Sequence, residues 1–262
     1  MFEAISEFRN RLTGGDIAIG SGVYVTDPQS SEALADSVDF LWYDLEHSAM
    51  SIEALRGHLI AARNRNKPGL VRIPYLGTPF IKPVLDAGAD GVVVPQIHTV
   101  EEVKRIVDDC RYPPTGSRGY GPLIKTNYGR LISNSEQDRK YQEAANENIL
   151  AAIMIETQEA VSDIDKIVAV DGLDSVVIGP GDLSGSFGMI GEFDNPVMVD
   201  AMVKVIEAAK SAGVFVGVGL GPDLEFAATQ LERGVQWFQM GGDLGYSIQT
   251  MDRLTSGLRS LR

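Results

Sequence analysis

The fold is decided within residues 153–184, where Ile153-Met154-Ile155-Glu156 and Ser175-Val176-Val177-Ile178-Gly179-Pro180-Gly181-Asp182-Leu183-Ser184 repeat one theme. Each begins as a short apolar run and passes into a carboxylate. Runs without polar alternation read as strands covered on both faces, as in a parallel sheet, and residues just past the carboxyl ends of such strands line the functional face of α/β folds. Glu156 and Asp182 are therefore expected to converge on one mouth. Two anions held close repel unless a cation separates them or one takes up a proton, so a hard divalent ion such as Mg²⁺ is the first reading. The alternatives are local: Glu156 as a charge at the start of a helix beginning Thr157-Gln158-Glu159-Ala160, and Asp182 as the cap of a short helix. Neither explains why both occupy equivalent strand ends.

Outward from this pair, strand and helix alternate along the chain. Phe2, Ile5, Phe8 and Leu12 recur at helical spacing until Thr13-Gly14-Gly15 stops them, giving a helix expected to cross the barrel bottom. Strand one is read over residues 17–25, with a helix from Asp27-Pro28 through Leu34. Phe40-Leu41-Trp42-Tyr43 is strand two, followed by a helix over residues 52–63. Strand three covers 69–74 with its helix at 78–85, and residues 88–95 give a tight turn into strand four, followed by a helix at 100–107. Residues 111–148 break the rhythm, and a connection this long in a compact domain is usually functional or mobile. It is read as a loop over the active mouth carrying a short helix near 136–145. Strands five and six are the opening pair. A helix at 196–212, strand seven at 214–218, a helix at 222–231, strand eight at 237–240 and a last helix at 248–261 complete the pattern. Eight such units spell a (β/α)₈ TIM barrel in a single domain, 1–262, with a doubly wound open sheet as the runner-up. No dinucleotide fingerprint or Walker loop is present.

Composition bounds the function. At 262 residues and 44% apolar content the chain can bury a full core. A net charge of −13 argues against nucleic acid or an anionic membrane as a partner, since either needs a basic face. Residues 1–8 lack the basic and apolar segments of a leader and no run reaches spanning length, so a soluble cytoplasmic protein is expected. Cys110 is the only cysteine, which excludes an internal disulfide and a thiolate cluster.

In a barrel the chemistry sits at strand carboxyl ends. The polar residues there are Asp44, Glu46 and His47 after strand two, Arg72 on strand three, Glu156 and Asp182. A histidine close to carboxylates can be oriented and made more basic by one of them, which a proton shuttle needs. His58 and His98 fall mid-helix and in a loop, and are read as structural or exposed. Arg72 must find an anion, either Asp44 or Asp86 in a buried pair or an anionic substrate oxygen. Metal, arginine and an Asp-supported histidine suit enolate chemistry. Lys67, Lys82, Lys104 and Lys125 fall in loops or helices, which disfavours a Schiff base.

Trp42-Tyr43-Asp44-Leu45-Glu46-His47-Ser48, Val71-Arg72, Leu85-Asp86-Ala87-Gly88-Ala89, the run from Arg111 to Gly119, Ile155-Glu156-Thr157 and Ile178 to Ser184 together resemble the HpcH/HpaI family of metal-dependent class II pyruvate aldolases, of the 4-hydroxy-2-oxoheptanedioate aldolase kind. The resemblance implies that Glu156 and Asp182 bind Mg²⁺, Mn²⁺ or Co²⁺, which chelates pyruvate through its carboxylate and keto oxygen. It also implies that Arg72 polarises the keto oxygen and that His47 with Asp44 handles the 4-hydroxyl proton through water, with Asp86 supporting them. Backbone N–H groups near Gly181 and Asp182 would hold the substrate carboxylate. A homohexamer of paired subunits that exchange the last helix is implied as well. Two departures bear on substrate choice: Met154 stands where family aldolases usually carry glutamine, and the loop from Tyr120 to Gly129 differs from the Ala/Ser-rich form in sugar-acid aldolases.

The leading expectation is reversible aldol cleavage of a 4-hydroxy-2-oxo acid to pyruvate and an aldehyde, with Arg118, Lys125 or Tyr128 reaching the distal end of the substrate. Oxaloacetate decarboxylation, condensation of the enolate as in macrophomate synthase or siderophore citrate synthase relatives, CoA-thioester cleavage and a non-catalytic keto-acid-binding barrel are the alternatives.

Overall fold

The computed structural model describes residues 1–262. In chain order the first half comprises α1 (Glu3–Thr13), β1 (Ala18–Val23), α2 (Gln29–Ala35), β2 (Phe40–Asp44), α3 (Ile52–Asn64), β3 (Gly69–Arg72), α4 (Thr78–Asp86), β4 (Gly91–Val94), α5 (Val100–Cys110) and α6 (Ser135–Asn148). The second comprises β5 (Leu150–Ile155), α7 (Gln158–Ser162), α8 (Ile164–Val168), β6 (Ser175–Ile178), α9 (Pro180–Ser186), α10 (Pro196–Ala212), β7 (Phe215–Leu220), α11 (Leu224–Arg233), β8 (Trp237–Gly242) and α12 (Asp243–Arg259). The eight strands pair in parallel in sequence order and close on themselves, β8 against β1, so the chain is a (β/α)₈ barrel. No helix is long and apolar enough to cross a membrane.

Closure is possible because the strands carry apolar side chains on both faces: every residue of β2, β4, β5 and β6 is buried. The amino-terminal end is plugged by aromatic rings. Phe8 of α1 meets Phe40 edge-on at 5.5 Å and Trp237 at 6.2 Å, and Phe40 meets Trp237 at 5.4 Å. Such edge-to-face clusters stabilise beyond their buried area. Two glycines make the plug fit, since a Cβ on Gly217 would lie 2.1 Å from the Trp237 ring and one on Gly20 would lie 2.4 Å from Phe40. The helix expected across the barrel bottom is thus α1, with Ile5, Phe8 and Leu12 buried.

The connection at 111–134 differs from the expectation of a loop over the active mouth. It follows α5, which runs back from the mouth, and it precedes β5, so it belongs to the opposite end. Its contacts place it there: Lys125 pairs with Asp90, whose other carboxylate oxygen accepts from Gly69 N at the start of β3 at 3.0 Å. Arg118 donates to Asp86 at the end of α4, and Arg63 near the end of α3 reaches Ile124 O at 3.5 Å. Arg118, Lys125 and Tyr128 are therefore not brought to the mouth of their own barrel. Tyr128 instead takes a hydrogen bond from Arg56 of α3.

Candidate active site

At the opposite end, β2 and β3 are in register with Asp44 beside Arg72. Arg72 Nε donates to Asp44 Oδ1 at 3.0 Å and Nη2 to Oδ2 at 2.6 Å, while Nη1 lies 3.1 Å from Glu46 Oε2. The guanidinium also lies over the Trp42 ring at 5.8 Å. Asp44 is fully buried and accepts two further bonds, from Glu46 N at 2.9 Å and His47 N at 3.3 Å, which fold the loop after β2 onto its carboxylate. Burial opposes its charge, but the hydrogen bonds and positive charge of Arg72 outweigh that and hold the Asp44 pKa below the ordinary value. Of the two anions that could have paired with Arg72, the structure selects Asp44. The pairing leaves Arg72 on the wall of the cavity.

Glu156 and Asp182 line the same cavity, which has a volume of about 740 Å³. Glu156 is 2% exposed, and its Oε2 accepts from Gln96 N at 3.0 Å and Gln96 Nε2 at 3.3 Å. Neither residue caps a helix. Thr157 rather than Glu156 caps α7, its hydroxyl accepting from Ala160 N at 3.1 Å, and no side chain caps α9, where Asp182 lies in the first turn. Burial pushes the Glu156 pKa up to about 7, and the neighbouring negative charges of Asp182 and Glu46 add to it against the Gln96 hydrogen bond and Arg72. A buried carboxylate facing another, with few donors, is what a divalent cation would relieve. Two hard oxygen ligands fit Mg²⁺ or Mn²⁺, which commonly take one or two protein carboxylates and complete their shell with water and substrate. No cluster of three or more His, Cys, Asp or Glu ligands forms, so such positions would be open.

The other expected residues are placed differently. The His47 side chain is 62% exposed at the rim, and its Nε2 lies 3.5 Å from Glu46 Oε2. Asp44, expected to partner the imidazole, contacts only the His47 backbone and gives its carboxylate to Arg72. Asp86 ends α4 and accepts from Arg118 Nη2 at 2.8 Å, so within one chain it does not join the network of Asp44 and His47. Gly181 faces the cavity with nothing within 4 Å of where a Cβ would project, which leaves the backbone beside Asp182 open. His58 is buried with Nδ1 2.8 Å from Ser31 Oγ, a structural histidine as expected.

Two groups of residues escape the sequence reading. Gln96, held at φ +55°, follows Pro95 just past β4 and is the hydrogen-bonding support of Glu156. Its signal was a polar side chain at one more strand exit. Tyr24 and Phe193 line the cavity from two different connections and Phe226 from the first turn of α11, and no local pattern marks them.

The sequence matches the HpcH/HpaI aldolase/citrate lyase family over residues 27–250. It is similar to a 4-hydroxy-2-oxovalerate aldolase of Rhodococcus jostii, 32% identical over 245 residues that cover 93% of this chain and 92% of the relative. A hydroxypyruvate/pyruvate aldolase of Roseobacter denitrificans is 29% identical over 247 residues, covering 94% of each. Among solved structures, an HpcH/HpaI aldolase from Desulfitobacterium hafniense superposes with a TM-score of 0.87 at 30% identity, covering 97% of this chain and 95% of that one.

Proposed function

The chain belongs to the HpcH/HpaI aldolase/citrate lyase family and is a carbon–carbon lyase, and from that premise we propose that it catalyses divalent-metal-dependent, reversible aldol cleavage of a 4-hydroxy-2-oxo acid to pyruvate and an aldehyde. The observation that supports this most is the meeting of Glu156, Asp182 and Arg72 on one cavity wall. A divalent cation held by Glu156 and Asp182 would polarise the keto group and stabilise the negative charge that develops on its oxygen.

Arg72 supports the same oxygen. Asp44 and Glu46 fix its guanidinium before substrate arrives, so little reorganisation accompanies the charge change. Gln96 holds Glu156 in its ligating orientation through two donors on one oxygen, as outer-shell partners of metal ligands commonly do. The open backbone at Gly181 and Asp182 suits the substrate carboxylate. His47 on the rim, with Glu46 rather than Asp44 beside Nε2, takes up the 4-hydroxyl proton through a water as the C3–C4 bond breaks. No lysine lines the cavity, in keeping with an enolate rather than a Schiff base.

The physiological form in this reading is a homo-oligomer, a hexamer of paired subunits. Leu244, Ile248, Met251, Leu254 and Leu258 are more than half exposed along α12, and no residue of that helix is buried. A stripe at helical spacing with nothing to cover it is an interaction face. Exchange of this helix between paired copies would bury it.

The experiment is a product assay on a panel of 4-hydroxy-2-oxo acids with and without Mg²⁺ or Mn²⁺, run beside Arg72→Ala and His47→Ala. Pyruvate should appear only with metal. Arg72→Ala should suppress both cleavage and exchange of the pyruvate methyl protons, whereas His47→Ala should slow cleavage far more than exchange. Metal-independent pyruvate release, or equal losses in both variants, would refute the assignment.

A further inference from the structure

A glutamine sits on the same level of the barrel as Glu156. Ile155 is in register with Ile178, Ile178 with Val218, and Gly219 with Gln239. One step past Ile155, Ile178 and Val218 come Glu156, Gly179 and Gly219, so these three and Gln239 form one layer, and all four line the cavity.

Within that layer the two polar side chains lean toward each other over the two glycines. Glu156 Oε1 lies 2.5 Å from where a Cβ on Gly179 would project, and Gln239 Oε1 lies 3.4 Å from one on Gly219. Gly179 follows β6 and Gly219 belongs to β7, neighbouring strands spaced about 4.8 Å apart. Both oxygens thus open on one gap, and no side chain rises between them.

The amide of Gln239 faces this gap with a fixed end. Its Nε2 donates to Gly241 O at 2.6 Å, the one hydrogen bond the side chain makes within the chain, which leaves the carbonyl oxygen free. Gly241 stands at φ +56°, beside the point where β1 and β8 slip register between Gly20 and Gly22, and irregularities of this kind re-aim groups next to a site. Gln239 is 8% exposed, and a carbonyl oxygen buried to that extent calls for a donor.

On the other side of the gap, Gln96 takes Glu156 Oε2, so Oε1 is the oxygen turned to a cation shared with Asp182. Two carboxylates supply only part of the shell of Mg²⁺ or Mn²⁺, and water fills other positions with hydrogens that need acceptors. A third carboxylate in the layer would add to the repulsion between Glu156 and Asp182. A neutral amide carbonyl accepts without that charge.

We infer that Gln239 is a positioning residue of the cation site, its Oε1 accepting a hydrogen bond from a water on the ion held by Glu156 and Asp182. The inference rests on the metal-dependent reading of the same site.

The test titrates metal-free protein with Mn²⁺, and separately with Mg²⁺, in a calorimeter with no 2-oxo acid present, so that water is the donor on offer. Gln239→Met keeps the length of the side chain without its acceptor and should raise both Kd values about tenfold or more, the scale of outer-shell partners of metal ligands. Gln239→Asn keeps an amide but withdraws it by one methylene, and should weaken binding in the same direction even where methionine is poorly tolerated. Gln236→Leu is the comparison, since Gln236 Oε1 accepts from Val216 N at 3.1 Å and its Nε2 reaches Leu12 O at 3.5 Å at the opposite end of the barrel. Its loss should lower the melting temperature and leave both Kd values at those of the parent. Parental Kd values in the folded Gln239 variants, or equal weakening in Gln236→Leu, would overturn this inference and leave the metal reading standing. A parent protein that takes up neither cation would remove the metal reading, and this inference with it.

Discussion

Replacing Asp44 with asparagine tests whether the active-site arginine is held by its neighbours before substrate binds. Asp44 is fully buried, and Arg72 reaches it through two nitrogens at 3.0 and 2.6 Å. The amide is nearly the same size but neutral, and one of its two heavy atoms becomes a donor facing a donor. Removing one member of a buried pair typically costs about 3–5 kcal/mol, because the other charge is left without compensation. Here Glu46 Oε2 remains 3.1 Å from Nη1, so the lower end, ~3 kcal/mol, is expected. For a chain of this length that corresponds to a fall in Tm of roughly 6–9 °C. It is read by circular dichroism on metal-free protein at one fixed concentration, so that any assembly equilibrium contributes equally to both samples. The arginine should also lose its orientation. Methyl-proton exchange of pyruvate in the metal-loaded variant should slow on the order of 100-fold, as misplacement of a catalytic group by about an ångström does. Glu46→Gln, which leaves the two-point contact intact, should cost less in both measurements. A D44N protein that melts within 1 °C of the parent and exchanges protons at the parental rate would refute the idea that Asp44 presets Arg72.

Gln96→Leu removes the side-chain donor on Glu156 and should weaken Mn²⁺ binding about 10–100-fold by calorimetric titration, and an unchanged Kd would show that the backbone N–H suffices. Glu156 has a folded pKa raised by burial to about 7, so in metal-free protein the folded state holds a proton that the unfolded chain releases near 4.5. Its contribution is therefore fully present below about 4.5 and is lost as pH rises through about 7, a fall of ~3 kcal/mol that Glu156→Gln should flatten in urea melts across that window. Lys125→Ala leaves Asp90 with the Gly69 N–H as its remaining partner at the barrel bottom and should destabilise by about 3 kcal/mol without changing the ranking of aldehydes. A changed ranking in that variant would place the long connection at a substrate site.

What was legible in the sequence was whatever had a local cause. The strands of a parallel barrel are buried on both faces, so runs such as Ser175–Ile178 stand out, and this one and Pro196–Ala212 keep the expected bounds. A charge at the end of such a run has no packing reason to be there, which is why Asp44, Arg72, Glu156 and Asp182 could be named from the chain alone. Edges blurred where composition is neutral. Leu150-Ala151-Ala152 joins β5, and α12 begins at Asp243 rather than Ile248 because a carboxylate at the first turn favours a helix start there. Partnership between neighbours was not legible either. Asp44 and Glu46 alternate in sequence, and only the register of β2 on β3 decides that Asp44 takes two nitrogens of Arg72 while Glu46 meets the third and also stands beside the imidazole of His47.

The placement of the long connection follows from a rule of direction rather than composition. In a (β/α)₈ barrel the segments after strands open on the mouth and the segments after helices open on the other end, so residues 111–134, which follow α5, lie at the bottom however polar or glycine-rich they are. Lys125 on Asp90, Arg118 on Asp86 and Ile124 against Gly88 hold the connection there. Within one chain, then, the distal end of a substrate can be read only by the strand exits. At the exits of β1, β7 and β8 the side chains that face the cavity beside the charged corner are Tyr24, Leu220, Phe226 and Leu244, joined by Phe193 from the segment after α9. The topology that holds Lys125 on Asp90 at the bottom thus leaves the cavity of one chain to be lined by its strand exits, with Arg72 as its one cationic side chain.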